Sequence, residues 1–319
     1  MSQGSSTAPQ VDLSKAVGFQ PPPQRVIYTA RDLMLYALSI GVQPSELHFL
    51  YENDRNFSAF PTYPLVLGLK KDNHGVSVYG AGGKEDIPGI PSYDPNKLVH
   101  GDQSLEILRY PLPLEGTFEL HTKVTGVYDK GKGMVIERTT TMVDPKEPNK
   151  PYASMKGSAF VRGAGGWGGP KGPKPEALDP PKDKQPDASY EDRTTDDTAI
   201  LYRLSGDYNP LHIDPTIAPR VGFKKPILHG LCTYGHAAHA VLKTFASSDP
   251  SALKSITGRF TAPVYPGDTL VTNMWKVPSD HKDQEKIIFQ VVAKESNQIV
   301  INGGCVVLWS KGKRPESKL

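Results

Sequence analysis

Residues 229–245 have the sequence HGLCTYGHAAHAVLKTF, and this stretch, with the segments that follow it, decides the fold. Its apolar residues recur at helical spacing and would cover one face of a helix: Leu231, Tyr234, Ala238, Leu242 and Phe245. Four runs rich in β-branched and aromatic residues come next: SITGRFTAPV, DTLVTNMWKV, EKIIFQVVAKE and QIVINGGCVVLWS. This order predicts one long helix followed by an antiparallel meander of three or four strands.

The first half of the chain repeats this order of a helix and then strands. Thr29-Ala30-Arg31-Asp32 has the pattern of a helix start, and the apolar residues after it share one helical face: Leu33, Tyr36, Ala37 and Ile40. Strand-like segments follow from Ser104, with Asp129-Lys130-Gly131 as a hairpin turn. A meander that wraps a helix is typical of a hot-dog unit. We therefore predict an α+β fold, a double hot-dog with two units in one chain, whose antiparallel sheets wrap long central helices.

The composition divides the chain into five segments. Residues 1–24, with three consecutive prolines at 21–23, are expected to form a disordered lead-in. Residues 25–164 are the predicted N-terminal hot-dog unit, and residues 191–312 are the C-terminal unit. Between them, residues 165–190 are dense in Gly, Pro and Lys and have no hydrophobic period, which is typical of a linker. Residues 313–319 form a polar tail.

The bulk composition is that of a globular protein, with 37% hydrophobic and 22% charged residues. The formal net charge is only +3 and the basic residues are scattered, which argues against nucleic acid as a partner. No run approaches the ~18 apolar residues of a membrane helix, and the N-terminus lacks the apolar core of a signal peptide. We therefore expect a soluble protein with no membrane partner, in which Cys232 and Cys305 are buried free thiols.

The last three residues of the chain are Ser317-Lys318-Leu319. A terminal S-K-L tripeptide is a peroxisomal address that an import receptor binds. The polar residues before it would leave it accessible. The sequence therefore predicts the import receptor as a partner and the peroxisomal matrix as the location.

Three polar side chains are crowded into the segment Ser205-Gly206-Asp207-Tyr208-Asn209-Pro210-Leu211-His212. Proline disfavours helical backbone at the residue before it, and Gly206 permits conformations that other residues avoid. The chain can therefore turn back and present Asp207 and His212 to one point, with Asn209 as a further polar anchor. A carboxylate beside an imidazole can hold and deprotonate a water molecule. The alternative is that D-x-N-P forms an ordinary turn.

Residues 202–212, YRLSGDYNPLH, resemble the hydratase 2 motif of the (3R)-specific 2-enoyl-CoA hydratases, the MaoC-like group. Residues 225–233 (KPILHGLCT) and 259–270 are similar to the same group. Segments of the first half resemble the eukaryotic hydratases with two hot-dog units, the type found in the hydratase domain of peroxisomal multifunctional enzyme type 2: LVHGDQ at 98–103, DKG at 129–131 and GAGG at 163–166. The resemblance covers roughly residues 25–310.

This resemblance implies that the chain hydrates a trans-2-enoyl-CoA to a (3R)-3-hydroxyacyl-CoA, with no cofactor because CoA is part of the substrate. Asp207 and His212 would hold the water, one activating it for attack at C3 and the other exchanging a proton with C2; which residue does which stays open. Asn209 would help orient the water. Gly230, at the N-terminus of the long helix, would stabilise the enolate oxygen through a free N–H. In this family the position that corresponds to Glu52 is functionally important, although chemistry alone indicates a surface or structural carboxylate there.

Substrate contacts are implied at seven further positions: His100, Gly101, Lys130, Tyr208, Pro210, Leu211 and Phe260. Of these, Lys130 suits a phosphate. The first half has no D-x-N-P-L-H segment and would supply room for the acyl chain. The family often forms homodimers, which implies a homodimer here.

Two other motifs have rival interpretations. Gly163–Gly168 satisfies G-x-G-x-x-G after a plausible strand, but Gly169-Pro170 cannot start the helix that a dinucleotide site requires, so a loop near the ligand is favoured. His229, His236 and His239 share one helix, yet no cysteine or carboxylate in that helix completes a metal site. No metal is therefore expected.

A hot-dog thioesterase is the first alternative function, because the fold serves both chemistries. A thioesterase would direct an activated water at the thioester carbonyl and release free CoA. A non-catalytic acyl-CoA-binding module is the second alternative, against which the intact motif speaks. The grouping of Asp207, Asn209 and His212 favours hydration.

Overall fold

Ten strands form one antiparallel sheet in the computed structural model, which describes residues 11–79, 86–93, 97–174, 176 and 178–315. The strands are β1 Gln24–Tyr28, β2 Leu98–Ile107, β3 Gly116–Asp129, β4 Gly133–Val143, β5 Ala153–Arg162, β6 Ala188–Arg193, β7 Leu253–Phe260, β8 Thr269–Val277, β9 Gln284–Ala293 and β10 Gln298–Trp309. The helices are α1 Leu13–Ala16, α2 Ala30–Ser39, α3 Leu47–Leu50, α4 Leu67–Lys70, α5 Thr198–Arg203 and α6 Gly230–Ala246. Within these described ranges no helix has the length and apolar character needed to cross a membrane.

The order of the strands across the sheet reveals two equivalent halves. It is β1-β3-β4-β5-β2-β7-β10-β9-β8-β6, so the last five positions repeat the first five in reverse, with β6 to β10 corresponding to β1 to β5. Antiparallel pairing of β2 with β7 joins the halves and sets Asp102 opposite Arg259. The predicted double hot-dog of the α+β class is thereby confirmed.

The long helix α6 is the central helix of the second half and packs against β6, β7, β8 and β10. It begins and ends within one residue of the predicted bounds. On the side facing α2, a Cβ at Gly235 would lie 2.4 Å from Cγ2 of Ile40, so glycine permits this close approach. The residues predicted for its apolar face are buried, except that Phe245 is only partly so: Leu231, Tyr234, Ala238 and Leu242.

The first half has no counterpart of α6 among its described residues. Helix α2 spans only ten residues and packs against α5 and α3, and α2 and α5 both follow directly on the first strand of their half. Between α2 and β2, the described residues form the short helices α3 and α4, the 3-10 helix Tyr63–Val66 and irregular segments. This differs from the long central helices expected in both halves. The residues predicted for the core face of α2 are nevertheless buried: Leu33, Tyr36, Ala37 and Ile40.

The N-terminal segment is ordered over residues 11–24, which corrects the predicted disordered lead-in; the first ten residues lie outside the described part of the chain. The Asp12 side chain caps α1, and Ala16 is fully buried. The chain then pairs with β3, where the Val124 N–H donates to the Phe19 carbonyl (2.9 Å). Packing on the sheet therefore orders a stretch whose composition alone indicated disorder.

The predicted linker also packs on the sheet, over much of its length. Its last residues belong to β6, which begins at Ala188, so the second unit starts before residue 191. Leu178 packs against the cluster of Trp275, Ile288 and Cys305, and the Trp275 indole N–H donates to the Lys184 carbonyl (3.0 Å). The segment therefore covers part of the C-terminal half.

Two carboxylates, the buried Glu46 and the half-buried Asp192, attach α6 to other elements. Glu46, which precedes α3, lies 2.9 Å from Nε2 of His239 and 3.4 Å from Nζ of Lys243. Asp192 on β6 lies 2.7 Å from Nδ1 of His236. Burial raises the pKa of Glu46, but hydrogen bonds from His239 and Ser248 lower it to well below its ordinary value. The two histidines of the H-x-x-H pattern on α6 thus belong to two separate acid–histidine pairs.

The two cysteines, Cys232 and Cys305, are buried free thiols, as predicted.

Candidate active site

The segment between α5 and α6 turns sharply and brings Asp207 near His212. Gly206 has φ +126°, and a Cβ there would lie 2.6 Å from the backbone of Lys70, so a larger residue would have to shift one of the two segments. Asn209 has the extended backbone expected before proline, and its side-chain oxygen caps the 3-10 helix that ends at His212. The turn is therefore built by the glycine and proline that the sequence indicated.

Asp207, His212 and His229 form one cluster. One carboxylate oxygen and one nitrogen of each ring all lie within 4.8 Å of one another. A water molecule that makes hydrogen bonds of about 2.8 Å to two groups fits between atoms at such a separation. The cluster can therefore hold a water between a carboxylate and an imidazole.

The tautomer of His212 follows from its hydrogen bond. Its Nδ1 lies 2.8 Å from the Ile227 carbonyl oxygen, which can only accept, so Nδ1 carries the proton and Nε2 has a free lone pair. Burial lowers the pKa of His212, while the charge of Asp207 and the bond to Ile227 raise it less strongly. A neutral imidazole with an unprotonated Nε2 is equipped to accept a proton.

His229 is a member of the cluster that sequence reasoning did not select. Its ring stacks on His212 with 3.7 Å between centroids and 28° between planes, and its Nε2–H donates to the Asp207 carbonyl (3.2 Å). Burial and then the neighbouring His212 lower its pKa to well below the ordinary value. The sequence indicated His229 only through its position immediately before Gly230, because a sequence does not show that two rings stack.

The same three residues are a donor set that some metal ions use. The lone pairs of imidazole nitrogens lie in the ring planes and must converge on a metal at about 2.0–2.1 Å. The His212 and His229 planes differ by only 28°, so their lone pairs run nearly side by side. One nitrogen of each ring is also engaged with a backbone carbonyl. The arrangement suits a water molecule better than a metal ion.

Gly230 and two aromatic rings border the cluster. Gly230 is the first residue of α6, and within the described residues its N–H donates to no acceptor, as is usual in the first turn of a helix. A Cβ on Gly230 would lie 3.2 Å from the Phe260 ring, and the centroids of Phe260 and His100 are 6.3 Å apart. Burial lowers the pKa of His100 and the charge of Asp207 raises it, so His100 also lies within electrostatic range of the cluster.

The remaining motif residues surround the turn. The Arg203 guanidinium at the end of α5 lies 5.0 Å from the centroid of the Tyr208 ring, and the Tyr208 hydroxyl donates to the Gly75 carbonyl (3.4 Å). Pro210 and Leu211 are half-buried in the 3-10 helix. The pairing of β2 with β5 shifts register at Gly101, directly after His100.

Two predicted site residues make no contact with the cluster among the described residues. Lys130, in the turn between β3 and β4, donates to the Lys171 carbonyl. Glu52 is exposed and accepts a hydrogen bond from Asn53 (3.1 Å). The position of Glu52 matches the surface carboxylate that its chemistry alone indicated.

The glycine-rich segment Gly163–Gly168 is a loop, as the sequence favoured. In the described residues after it the next regular element is β6. A dinucleotide site of the Rossmann type needs a helix N-terminus there for the pyrophosphate. The dinucleotide interpretation therefore has no structural basis.

Comparisons with known proteins show the family. Residues 27–163 match the MFE-2 hydratase 2 N-terminal domain, and residues 178–298 match the MaoC like domain. A probable enoyl-CoA hydratase 2 from Dictyostelium discoideum is 41% identical over 93% of this chain and 97% of that protein. The peroxisomal enoyl-CoA hydratase 2 of Arabidopsis thaliana is 36% identical over 88% of this chain and 91% of that protein. Peroxisomal multifunctional enzyme type 2 from Mus musculus is 39% identical over 92% of this chain, which spans 38% of that protein.

Two solved structures are similar to this chain in both fold and sequence. A MaoC-like dehydratase from Phytophthora capsici matches with a TM-score of 0.86 and 40% identity, over 96% of this chain and 100% of that chain. Full-length peroxisomal multifunctional enzyme type 2 from Drosophila melanogaster matches with a TM-score of 0.73 and 35% identity, over 90% of this chain and 48% of that chain. The chain therefore belongs to the MaoC-like enoyl-CoA hydratase 2 family and is a hydro-lyase.

Proposed function

We propose that this protein catalyses the reversible hydration of trans-2-enoyl-CoA to (3R)-3-hydroxyacyl-CoA. The observation that carries the proposal is the cluster of Asp207 and His212 beside the unengaged N–H of Gly230. It combines a site for water with a donor for the thioester oxygen. These are the two functions that addition of water to an enoyl thioester requires.

In this mechanism Asp207 and His212 hold the water between them. As the water oxygen forms a bond to C3, Nε2 of His212 takes one of its protons, and the imidazolium then gives a proton to C2. The Asp207 carboxylate orients the water and stabilises the transient positive charge on His212. The amide group of Asn209, whose oxygen is engaged in capping, has its nitrogen left to donate to the same water.

When water attacks C3, the π electrons of the C2–C3 double bond shift toward the thioester oxygen, where an enolate develops. The N–H of Gly230 points out of the first turn of α6, so both its hydrogen bond and the positive end of the helix dipole stabilise that charge. A single donor of this kind contributes ~10²–10³ in rate in other enzymes. The stacking of His229 on His212 would hold the imidazole in the orientation that proton transfer needs.

The CoA ester would run along the wall beside this cluster. His100, Gly101, Tyr208 and Phe260 are proposed substrate contacts, with Pro210 and Leu211 shaping the turn. Lys130 would bind a phosphate of the nucleotide portion. The first half, whose described residues form no long central helix, would supply room for the acyl chain. A catalytic role of Glu52 has no support from its exposed position.

The competing thioesterase function makes a different product from the same substrate. Incubation with trans-2-decenoyl-CoA should remove the absorbance of the conjugated enoyl thioester without release of thiol. Free CoA is measured in the same reaction with a thiol reagent. Thiol release that matches substrate loss would instead establish the thioesterase.

We further propose that the enzyme acts in peroxisomal fatty-acid β-oxidation, as a homodimer. Ser317-Lys318-Leu319, which lies outside the described residues, supports a peroxisomal location, as do the names of the plant and mouse relatives. Deletion of Leu319 should leave a fluorescently tagged protein in the cytosol, whereas the full chain should co-localise with a peroxisomal marker. Unchanged import of the shortened chain would contradict the targeting proposal. Light scattering on the purified protein tests the dimer.

A further inference from the structure

The Asp129 carboxylate joins two segments that are remote in sequence, the β3–β4 turn and the glycine-rich loop Gly163–Gly168. Asp129 is 1% exposed. Its side chain accepts hydrogen bonds from three backbone N–H groups, those of Gly131 (2.7 Å), Gly166 (2.9 Å) and Gly168 (2.7 Å). One buried side chain therefore fixes both segments.

The close contact requires glycine at Gly165, and the backbone conformation favours glycine at Gly131, Gly166 and Gly168. A Cβ on Gly165 would lie 2.5 Å from the Gly131 carbonyl oxygen and 2.6 Å from the Gly133 nitrogen. Gly131, Gly166 and Gly168 all have positive φ, between +76° and +83°, where other residues are strained. The repeated glycine is therefore explained by one close backbone approach, at Gly165, and by positive φ at Gly131, Gly166 and Gly168.

The joined segments carry a concentration of positive charge. Lys130, Lys132, Lys171 and Lys174 are all exposed, and Lys130 reaches across to donate to the Lys171 carbonyl. The backbone N–H donors lower the pKa of Asp129 to about 2, so its negative charge is present but is met by these donors. The exposed surface of the two segments therefore carries the positive charge of the four lysines.

The register of the sheet places this surface relative to the active site. His100 on β2 is opposite Ala159 on β5, which is opposite Ile136 on β4. The turn at Lys130 lies beyond the end of β4 nearest Ile136. Strand spacing and rise per residue then give about 15 Å between His100 and the turn. An extended pantetheine arm spans a distance of this order.

We propose that Asp129 is a positioning residue that holds the glycine-rich loop against the β3–β4 turn, so that the exposed lysines form a preorganised site for the nucleotide phosphates of CoA. This inference rests on the proposed function, because it takes an acyl-CoA as the ligand. It adds a role for a buried carboxylate that touches neither the reacting atoms nor the phosphates.

Asp129→Asn is the variant that tests this role, since asparagine has the same shape but cannot accept all three N–H bonds. KM for trans-2-decenoyl-CoA should rise roughly tenfold, which corresponds to about 1.4 kcal/mol of binding, with little change in kcat. The same decenoyl group on N-acetylcysteamine keeps the thioester but lacks the nucleotide. With this substrate, kcat/KM of wild type and D129N should be equal.

Asp144→Asn is the matched control, because Asp144 accepts a single backbone N–H, from Lys146 (2.8 Å), in the turn after the other end of β4. It should leave both substrates unaffected. Equal loss by D129N on both substrates would reveal general structural damage and overturn the inference, as would no change on either.

Calorimetric binding of CoA to the wild type and D129N separates this inference from the proposed function. If the wild type turned over neither substrate, the proposed hydratase function would fail. Weaker binding of CoA to D129N, with unchanged binding to D144N, would still support the phosphate site. Equal CoA binding by wild type and D129N would contradict it.

Discussion

Asp207→Asn should lower kcat/KM for hydration of trans-2-enoyl-CoA by about 10²–10⁴-fold, the usual contribution of a positioned acid–base group. Asparagine removes the charge that orients the water and stabilises the His212 imidazolium. It keeps the oxygen that accepts the hydrogen bond from the Asn209 N–H (3.2 Å), so the turn should be retained. Steady-state hydration rates, with circular dichroism to verify folding, measure the effect.

His212→Gln should cause a loss of the same order, because glutamine cannot take up a proton near neutral pH. Asp214→Asn is the matched control: Asp214 accepts the Thr216 N–H (2.8 Å) in the next turn, and asparagine can do the same. D214N should therefore be close to wild type. Activity near wild type in folded D207N or H212Q would eliminate the proposed mechanism.

The pH dependence of the wild-type rate follows from the same imidazole. Burial lowers the pKa of His212 below the ordinary value of about 6.5 for an imidazole, and the base works only when neutral. The rate should therefore be lost as pH falls through this lowered pKa, so the acidic limb of kcat/KM lies below pH 6.5. In D207N the raising effect of the carboxylate is gone, and the limb should move to still lower pH. A limb above 6.5 would contradict this account.

Glu46→Gln should have the second large effect, a decrease in the free energy of unfolding of about 1–3 kcal/mol, the usual cost of leaving a buried hydrogen-bonding group unsatisfied. Glu46 is 6% exposed and contacts His239 and Lys243 of α6 as well as Ser248. Loss of its charge leaves the Lys243 ammonium without its buried counterion. Denaturant unfolding followed by fluorescence measures the change.

Glu52→Gln is the control for this stability effect, because Glu52 is exposed and bonded only to its neighbour among the described residues. It should change stability by about 0.5 kcal/mol or less.

The stabilisation by Glu46 should depend on pH. The pKa of Glu46 is lowered in the folded state from 4.5, so its contribution to the free energy of unfolding is present above that pH and is lost as pH falls. The difference between wild type and E46Q should shrink below pH 4.5. A constant difference would contradict the ionic interpretation. The activity of E52Q also decides whether Glu52 is catalytic.

The sequence predicted the central helix of the second half and the turn at Asp207 because the patterns that indicate them are local. The apolar period of residues 229–245 gave α6 within one residue, and glycine and proline around Asp207 indicated the turn. The first half was harder, since a face of four buried residues on α2 has the same pattern whether it meets a sheet or a short helix such as α5. Packing of Ala16 and Phe19 against β3 likewise depends on a distant strand.

The contacts that complete the site join residues far apart in the chain. His229 stacks on a histidine 17 residues earlier, and Glu46 meets His239 from 193 residues away. No periodicity or spacing rule encodes such pairs. Asp129 illustrates the same limit: its turn was predicted, but the loop that it binds was recognised only as rich in glycine.

Chiral analysis of the product formed from trans-2-decenoyl-CoA tests the central claim most directly. The hydroxyacyl group is released, derivatised and separated on a chiral column beside both authentic enantiomers of 3-hydroxydecanoate. The account predicts a single (3R) product, formed by the wild type and nearly absent with D207N. A (3S) or racemic product, or formation of free decenoate in its place, would contradict it.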